Sequence, residues 1–187
     1  MTSQKILKLV IASMFAALCC ICTVFIAVPS IKGYTHLGDG MVILSGVLLG
    51  PIYGSAAAGI GSLFADLLLG FPLYAPGTLI IKASAAFVAW LVVKGFSKIT
   101  NNPILRVFSV SLGGICAGFI VTSGYFLYDM SVMGLGMGAA AGIPGNLVQN
   151  TFGILISTIM FPMLYRLPTI RNYGQPNIVI NNKKTVS

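Results

Sequence analysis

The chain has 187 residues, of which 57% are hydrophobic and 7% charged; 11 lysines and arginines against three acids give a net charge of +8. A soluble domain carries roughly 25% charged residues, so this composition excludes a water-soluble globule and points to an all-α membrane protein. The basic residues sit at the ends of apolar runs rather than in a patch interleaved with aromatics, which argues against nucleic acid as the partner.

A membrane-spanning helix needs about 20 mainly apolar residues. The first apolar run follows Lys5 and Lys8 as a signal peptide would. It is too long for such a segment and is followed by equally apolar sequence, so a retained helix is expected over 6–28. A polar stretch over 30–38 holds Lys32, Tyr34 and His36. A second helix is expected over 39–49, short for a full span and so starting below the membrane surface. After the tight break at Gly50-Pro51 comes a third helix, 52–69. The two-proline loop GFPLYAP leads to a fourth, 77–96, and the polar connection SKITNNP to a fifth, 104–127. A Gly- and Met-rich loop over 128–144 precedes the sixth helix, 145–165, and a polar tail covers 166–187. These elements form one domain, 1–187: a bundle of six transmembrane helices.

Six crossings put both termini on one side. Lys5, Lys8, Lys94, Lys98, Arg106, Arg166, Arg171, Lys183 and Lys184 then share that side, nine of the eleven cations. Positive charge collects on cytoplasmic loops, so both termini and the 97–103 loop are expected inside. The connections 29–38, 70–76 and 128–144 are expected to face outward.

Ionisable groups inside a membrane are costly and are functional suspects by default. Asp66 lies about one turn from the outer end of the third helix, and Lys82 a little over one turn into the fourth. Two readings stay open and can hold together: both line a ligand pocket, or they pair with each other and fix helix register. Asp39 opens the second helix, where it can cap free backbone N–H groups or join Tyr34 and His36 in a polar lid. Tyr74, Tyr125, Tyr128 and Asp129 fall on the outer side, as an interfacial aromatic belt or a stacking surface for a flat ligand. Asn146, Gln149 and Asn150 can glue helices or read a ligand's polar atoms. Ala12/Ala16 and Ser13/Ala17 have the small-residue spacing that lets helices approach closely.

Catalytic patterns are missing from the sequence. It has no Ser/His/Asp set, no H-E-x-x-H, and one His with three acids for acid–base work, so an enzyme is not expected. It has no Walker A loop and so no ATPase of its own. Cys19, Cys20, Cys22 and Cys116 lie in apolar runs, and the C-x-x-C of Cys19 and Cys22 has no second pair. They read as packing residues rather than metal ligands or disulfides.

The run from Tyr34 to Lys82, YTHLGDGMVILSGVLLGPIYGSAAAGIGSLFADLLLGFPLYAPGTLIIK, together with the first-helix A-x-x-x-A, resembles the substrate-binding S component of an energy-coupling factor (ECF) vitamin importer. The likeness covers residues 5 to 165 and is nearest the branch for hydroxymethylpyrimidine, pyridoxine or riboflavin. It implies a multi-pass subunit of the bacterial cell membrane that captures a vitamin from outside. That subunit docks on a transmembrane T component driven by two cytoplasmic ATPases. ATP would be used by those partners, with no cofactor in this chain. The resemblance maps the docking motif onto Ala12 and Ala16, and the ligand pocket onto Tyr34, His36, Asp39, Tyr74, Lys82, Tyr125, Asn146 and Gln149.

Charge bears on the ligand. Outward-facing and intramembrane groups comprise two cations, Lys32 and Lys82, against Asp39, Asp66 and Asp129. An anionic ligand would want an excess of cationic donors, so a hydroxymethylpyrimidine- or pyridoxine-like ligand is expected over pantothenate, biotin or folate. The alternatives are an S component for riboflavin or pantothenate, and a stand-alone channel or facilitator.

Overall fold

A computed structural model describes residues 3–29, 34–99 and 102–171. The elements in chain order are α1 (Ser3–Phe25), the two-residue strands β1 (Val28–Pro29) and β2 (Tyr34–Thr35), α2 (Asp39–Leu49), α3 (Tyr53–Leu68), α4 (Ala75–Ile99), α5 (Pro103–Ser131), a 3-10 helix (Gly136–Gly142), α6 (Ile143–Tyr165) and a short α7 (Pro168–Arg171). Among the described residues, four stretches are long and apolar enough to cross a membrane: Lys5–Phe25, Ala75–Ile99, Pro103–Ser131 and Gly136–Tyr165. The α2 and α3 helices have 11 and 16 residues, fewer than the roughly 20 a full span takes. Large apolar side chains stand exposed on the outer faces, among them Phe25, Ile80, Phe119, Ile159 and Met163. That surface suits hydrocarbon and not water.

The α2 helix explains its own shortness. Ten of its eleven residues are buried, and it packs against α1, α3, α4 and α6. A helix apolar on every side belongs inside a bundle, and one enclosed by neighbours need not reach both membrane surfaces. Glycine permits this enclosure. A Cβ at Gly46 would lie 2.1 Å from the Ala86 carbonyl oxygen of α4. Between α3 and α1 the approach is as close: a Cβ at Gly61 of α3 would lie 2.2 Å from the Ala16 carbonyl oxygen of α1. Small residues let helix backbones meet in lipid, where burial of apolar surface gives little drive to associate. Gly50, with φ of +86°, ends α2, in a backbone conformation open to glycine, and the chain turns there into α3.

Three local expectations are corrected. The first helix ends at Phe25, and Val28–Pro29 instead pair antiparallel with Tyr34–Thr35, Val28 opposite Thr35 and Pro29 opposite Tyr34. Pro29 cannot continue a helix interior but tolerates an edge strand. The expected loop at 128–144 is largely helical: α5 runs to Ser131, and Gly136–Gly142 forms a 3-10 helix leading into α6. The small residues of GMGAAAG crowd little in that tight winding. Asp39 is the first residue of α2 but not its cap. Gly38 holds that place without a side-chain hydrogen bond, because the Asp39 carboxylate is spent elsewhere.

The helices alternate in direction, so one end of the bundle gathers the start of α1, the close of α2, the start of α3, the close of α4, the start of α5 and the close of α6. Lys8, Lys94 and Arg106 line one cleft at this end. Lys32, Lys183 and Lys184 lie outside the described residues.

Candidate functional site

At the opposite end the hairpin, α3, α4, α5 and α6 line a cleft with about 570 Å³ of space counting its open mouth. Its polar lining includes Tyr34, His36, Asp66, Asn146 and Gln149, with Thr78 and Asp129. The β1–β2 hairpin brings Tyr34 and His36 over this opening. Tyr34 donates a hydrogen bond to Asp66 Oδ1 and lies 5.2 Å, ring to ring, from Phe71. Phe71, Tyr74 and Tyr128 continue as an aromatic chain with centroids 6.4 and 6.1 Å apart. Tyr128 is anchored by its hydroxyl donating to the Leu73 carbonyl at 2.6 Å. Tyr125 and Thr78 share a hydrogen bond of 2.9 Å between hydroxyls.

Behind this lining lies a buried polar network. Lys82, 0% exposed, donates to Asp39 Oδ1. Gln149 donates from Nε2 to Asp39 Oδ2 at 2.8 Å. Its other end, Oε1, accepts from the His36 backbone N–H at 3.4 Å. One amide thus ties α6 to α2 and to the hairpin. His36 Nδ1 accepts from the Gly38 backbone N–H at 3.0 Å. Burial, with the Lys82 ammonium nearby, holds the His36 ring well below its ordinary value, at about 3. The ring is therefore neutral at any physiological pH. Burial and the Asp66 carboxylate push the Tyr34 hydroxyl up. Burial and then Asp129 push Tyr74 up to about 12. Both phenols stay protonated and remain donors.

Lys82 therefore pairs with Asp39 and not with Asp66. Asp66 is occupied at Oδ1 by Tyr34, while its Oδ2 is buried with no hydrogen-bond partner. Asp129 is in the same condition at Oδ1. Two residues that line the cleft thus carry buried carboxylate oxygens with unused acceptor capacity. The described lining of the cleft contains neither lysine nor arginine. Unsatisfied buried acceptors are costly, and a ligand's O–H or N–H groups would relieve them.

Of the nine residues expected to bind substrate, Tyr34, His36, Asp66, Tyr74, Tyr125, Asn146 and Gln149 line the cleft. Asp39 and Lys82 do not; Asp39 stands one hydrogen bond behind Gln149, and Lys82 one further, behind Asp39. Asn150 points away as helix glue, donating to the Gly118 carbonyl and the Thr122 hydroxyl, each at 2.9 Å. Sequence reasoning missed Thr78 and Phe71. Thr78 precedes Lys82 by four residues, so it shares a helix face with it, a signal that was available. Phe71 sits in a loop and gave none. Ala12 and Ala16 are half-buried and pack against the core. The shallow outer groove of α1 is lined instead by Ser13 and Ala17, with Ile6, Leu9, Val10 and Met14. Among the described residues, no group of three or more His, Cys, Asp or Glu could hold a metal ion.

Comparison with known proteins gives two matches. A family model described as "ECF-type riboflavin transporter, S component" matches residues 3–166. A protein of Pyrococcus woesei, described as an uncharacterized protein in gap 3'region, is 36% identical over 132 residues, covering 70% of this chain and 82% of that relative.

Proposed function

The chain belongs to the ECF-type riboflavin transporter S component family, and from that premise we propose that its cleft captures a flat, uncharged heterocycle bearing hydroxyl or amino groups, of the hydroxymethylpyrimidine or pyridoxine kind. As a family member it is a membrane-embedded substrate-binding subunit of an ECF transporter and not an enzyme. The observation that carries the ligand reading is the pair of buried, partly unpaired carboxylates, Asp66 and Asp129, in a cleft whose described lining holds no lysine or arginine. Carboxylates accept; they favour a ligand rich in donors and repel one bearing its own carboxylate. Lys82 does not offset them, since Asp39 holds it. The chain of aromatic rings supplies a face for a planar ring system.

Riboflavin is the second reading, favoured by the name of the matching family. It also has hydroxyl donors and a planar ring. Equilibrium binding of a vitamin panel to the purified chain separates these readings. Tightest binding of pyridoxine or hydroxymethylpyrimidine supports the first, and of riboflavin the second. Tightest binding of pantothenate, biotin or folate overturns both.

Six membrane crossings with both termini cytoplasmic are part of this proposal, α2 and α3 each making one, α2 from within the bundle. The gathering of cations at the end opposite the cleft supports that orientation. The cleft then faces outward, as capture requires. For docking on the T component, the reading shifts from Ala12 and Ala16 to the neighbouring Ser13 and Ala17, since these stand exposed on α1.

A further inference from the structure

A second cleft opens at the other end of the bundle, between the close of α2, the start of α3, the close of α4, the start of α5 and the close of α6. It is wide-mouthed, with about 1390 Å³ of space counting the part open to solvent. Three cations line it: Lys8, Lys94 and Arg106. Two of them lie against aromatic rings. The Lys94 ammonium is 4.5 Å from the centre of the Trp90 ring, and the Arg106 guanidinium 5.1 Å from that of Tyr165. Arg106 donates to the Tyr165 hydroxyl at 2.8 Å, which fixes its fork, while its Nε is buried with no hydrogen-bond partner.

The chain cannot supply a side-chain counter-ion here. Its only acids are Asp39, Asp66 and Asp129. These stand at the start of α2, near the close of α3 and near the close of α5, all at the ligand end. Much of the remaining wall is apolar, with Val47, Ile52 and Phe161 beside Tyr53 and Ser97. An aromatic and basic cleft with an apolar flank, at the end of a helix bundle, joins two recognition chemistries. Planar guanidinium and ammonium groups bind phosphate oxygens, and the apolar flank accepts hydrocarbon. Basic pockets between membrane helices take anionic headgroups for this reason.

We propose that this cleft binds an anionic phospholipid, its phosphate held between Arg106 and Lys94 and its acyl chain on the apolar wall. The site is separate from the vitamin cleft and does not depend on which vitamin the chain takes. It gives the subunit a lipid-dependent anchor at the end that carries its positive charge.

Trp90 is the sole tryptophan in the chain, so its fluorescence reports this cleft directly. Vesicles holding the full chain would contain bromine-labelled phosphatidylglycerol or bromine-labelled phosphatidylcholine at equal mole fraction. Quenching of Trp90 by the anionic lipid should exceed that by the zwitterionic one at least twofold. The excess should disappear in the double variant Lys94→Gln/Arg106→Gln and persist in Lys98→Gln, an exposed cation of α4 outside the cleft. Equal quenching by both lipids in the unmodified chain overturns the proposal without recourse to any variant. An excess that survives Lys94→Gln/Arg106→Gln, or falls equally in Lys98→Gln, also overturns it, because the attraction would then be diffuse. Loss of the excess on adding millimolar inorganic phosphate would make this a free-phosphate site and overturn the lipid assignment.

Discussion

Replacing Lys82 with Met should cost about 3–5 kcal/mol of stability, the usual penalty for stripping one partner from a buried ion pair. The structure sets the scale. Lys82 is 0% exposed and Asp39 3%, so the abandoned carboxylate cannot turn to water. It would keep the hydrogen bond from Gln149 at 2.8 Å but lose its counter-charge. At an effective dielectric near 20, two unit charges about 4 Å apart attract by about 4 kcal/mol, in line with that penalty. Adding Asp39→Asn should recover most of the loss, since the remaining groups are neutral and Gln149 can still donate to the amide oxygen. Denaturant unfolding in detergent micelles, run as a double-mutant cycle, measures the coupling. Vitamin affinity measured on the same variants reads the second half of the argument: Lys82→Met should not create or abolish a preference for carboxylate vitamins. A loss under about 1 kcal/mol for Lys82→Met, or no rescue by Asp39→Asn, would refute the reasoning about the pair. Tight binding of a carboxylate vitamin that vanishes in Lys82→Met would show instead that Lys82 receives the ligand.

Asp66→Asn and Asp129→Asn should each weaken binding of a hydroxylated heterocycle by about 1.5–3 kcal/mol, the worth of a hydrogen bond to a charged group; titration calorimetry that finds both variants at parental affinity would remove the carboxylates from the site. A cysteine placed at Ser131 should react with an impermeant reagent added outside intact cells and one at Asn101 should not, the reverse pattern inverting the orientation. Ser13→Leu and Ala17→Leu should reduce transport by the assembled complex while vitamin binding to the isolated chain persists; unchanged transport in both would move the docking face off this side of α1. His36, held at about 3 by burial, stays unprotonated in the folded chain while the unfolded chain binds a proton below the ordinary 6.5, so stability should be full above that value and fall as pH drops toward 3. The slope is at most about 1.4 kcal/mol per pH unit, and His36→Asn, which keeps an acceptor for Gly38, should flatten it; identical melting-versus-pH curves for the two chains would contradict the burial argument.

The class of protein and most of the residues that form the site were legible in the order of amino acids. Scarcity of charge and long apolar runs dictate helices in lipid, because every backbone polar group must be satisfied internally there. The start and close of α2 at Asp39 and Leu49 were legible, since Gly50-Pro51 can only break a helix. Rare polar residues within apolar helices marked Asp66, Gln149 and Tyr125 as suspects, and these do meet in one cleft.

Partnership was decided by the tertiary structure alone. Asp66 and Lys82 stand on neighbouring helices joined by a short loop, and nothing along the chain favours Asp39 over Asp66 as the counter-ion. The choice falls to Asp39 because α2, enclosed through Gly46, brings it against α4. The β1–β2 hairpin meanwhile carries Tyr34 to Asp66. The same enclosure decides that Lys82 is withdrawn behind Gln149 and that the cleft is left acidic. Ser13 and Ala17, and not Ala12 and Ala16, stand exposed for a similar reason: the rotation of α1 is fixed by its contact with Gly61. Periodicity gives the spacing of a helix face, but which face is buried depends on the neighbour that packs against it.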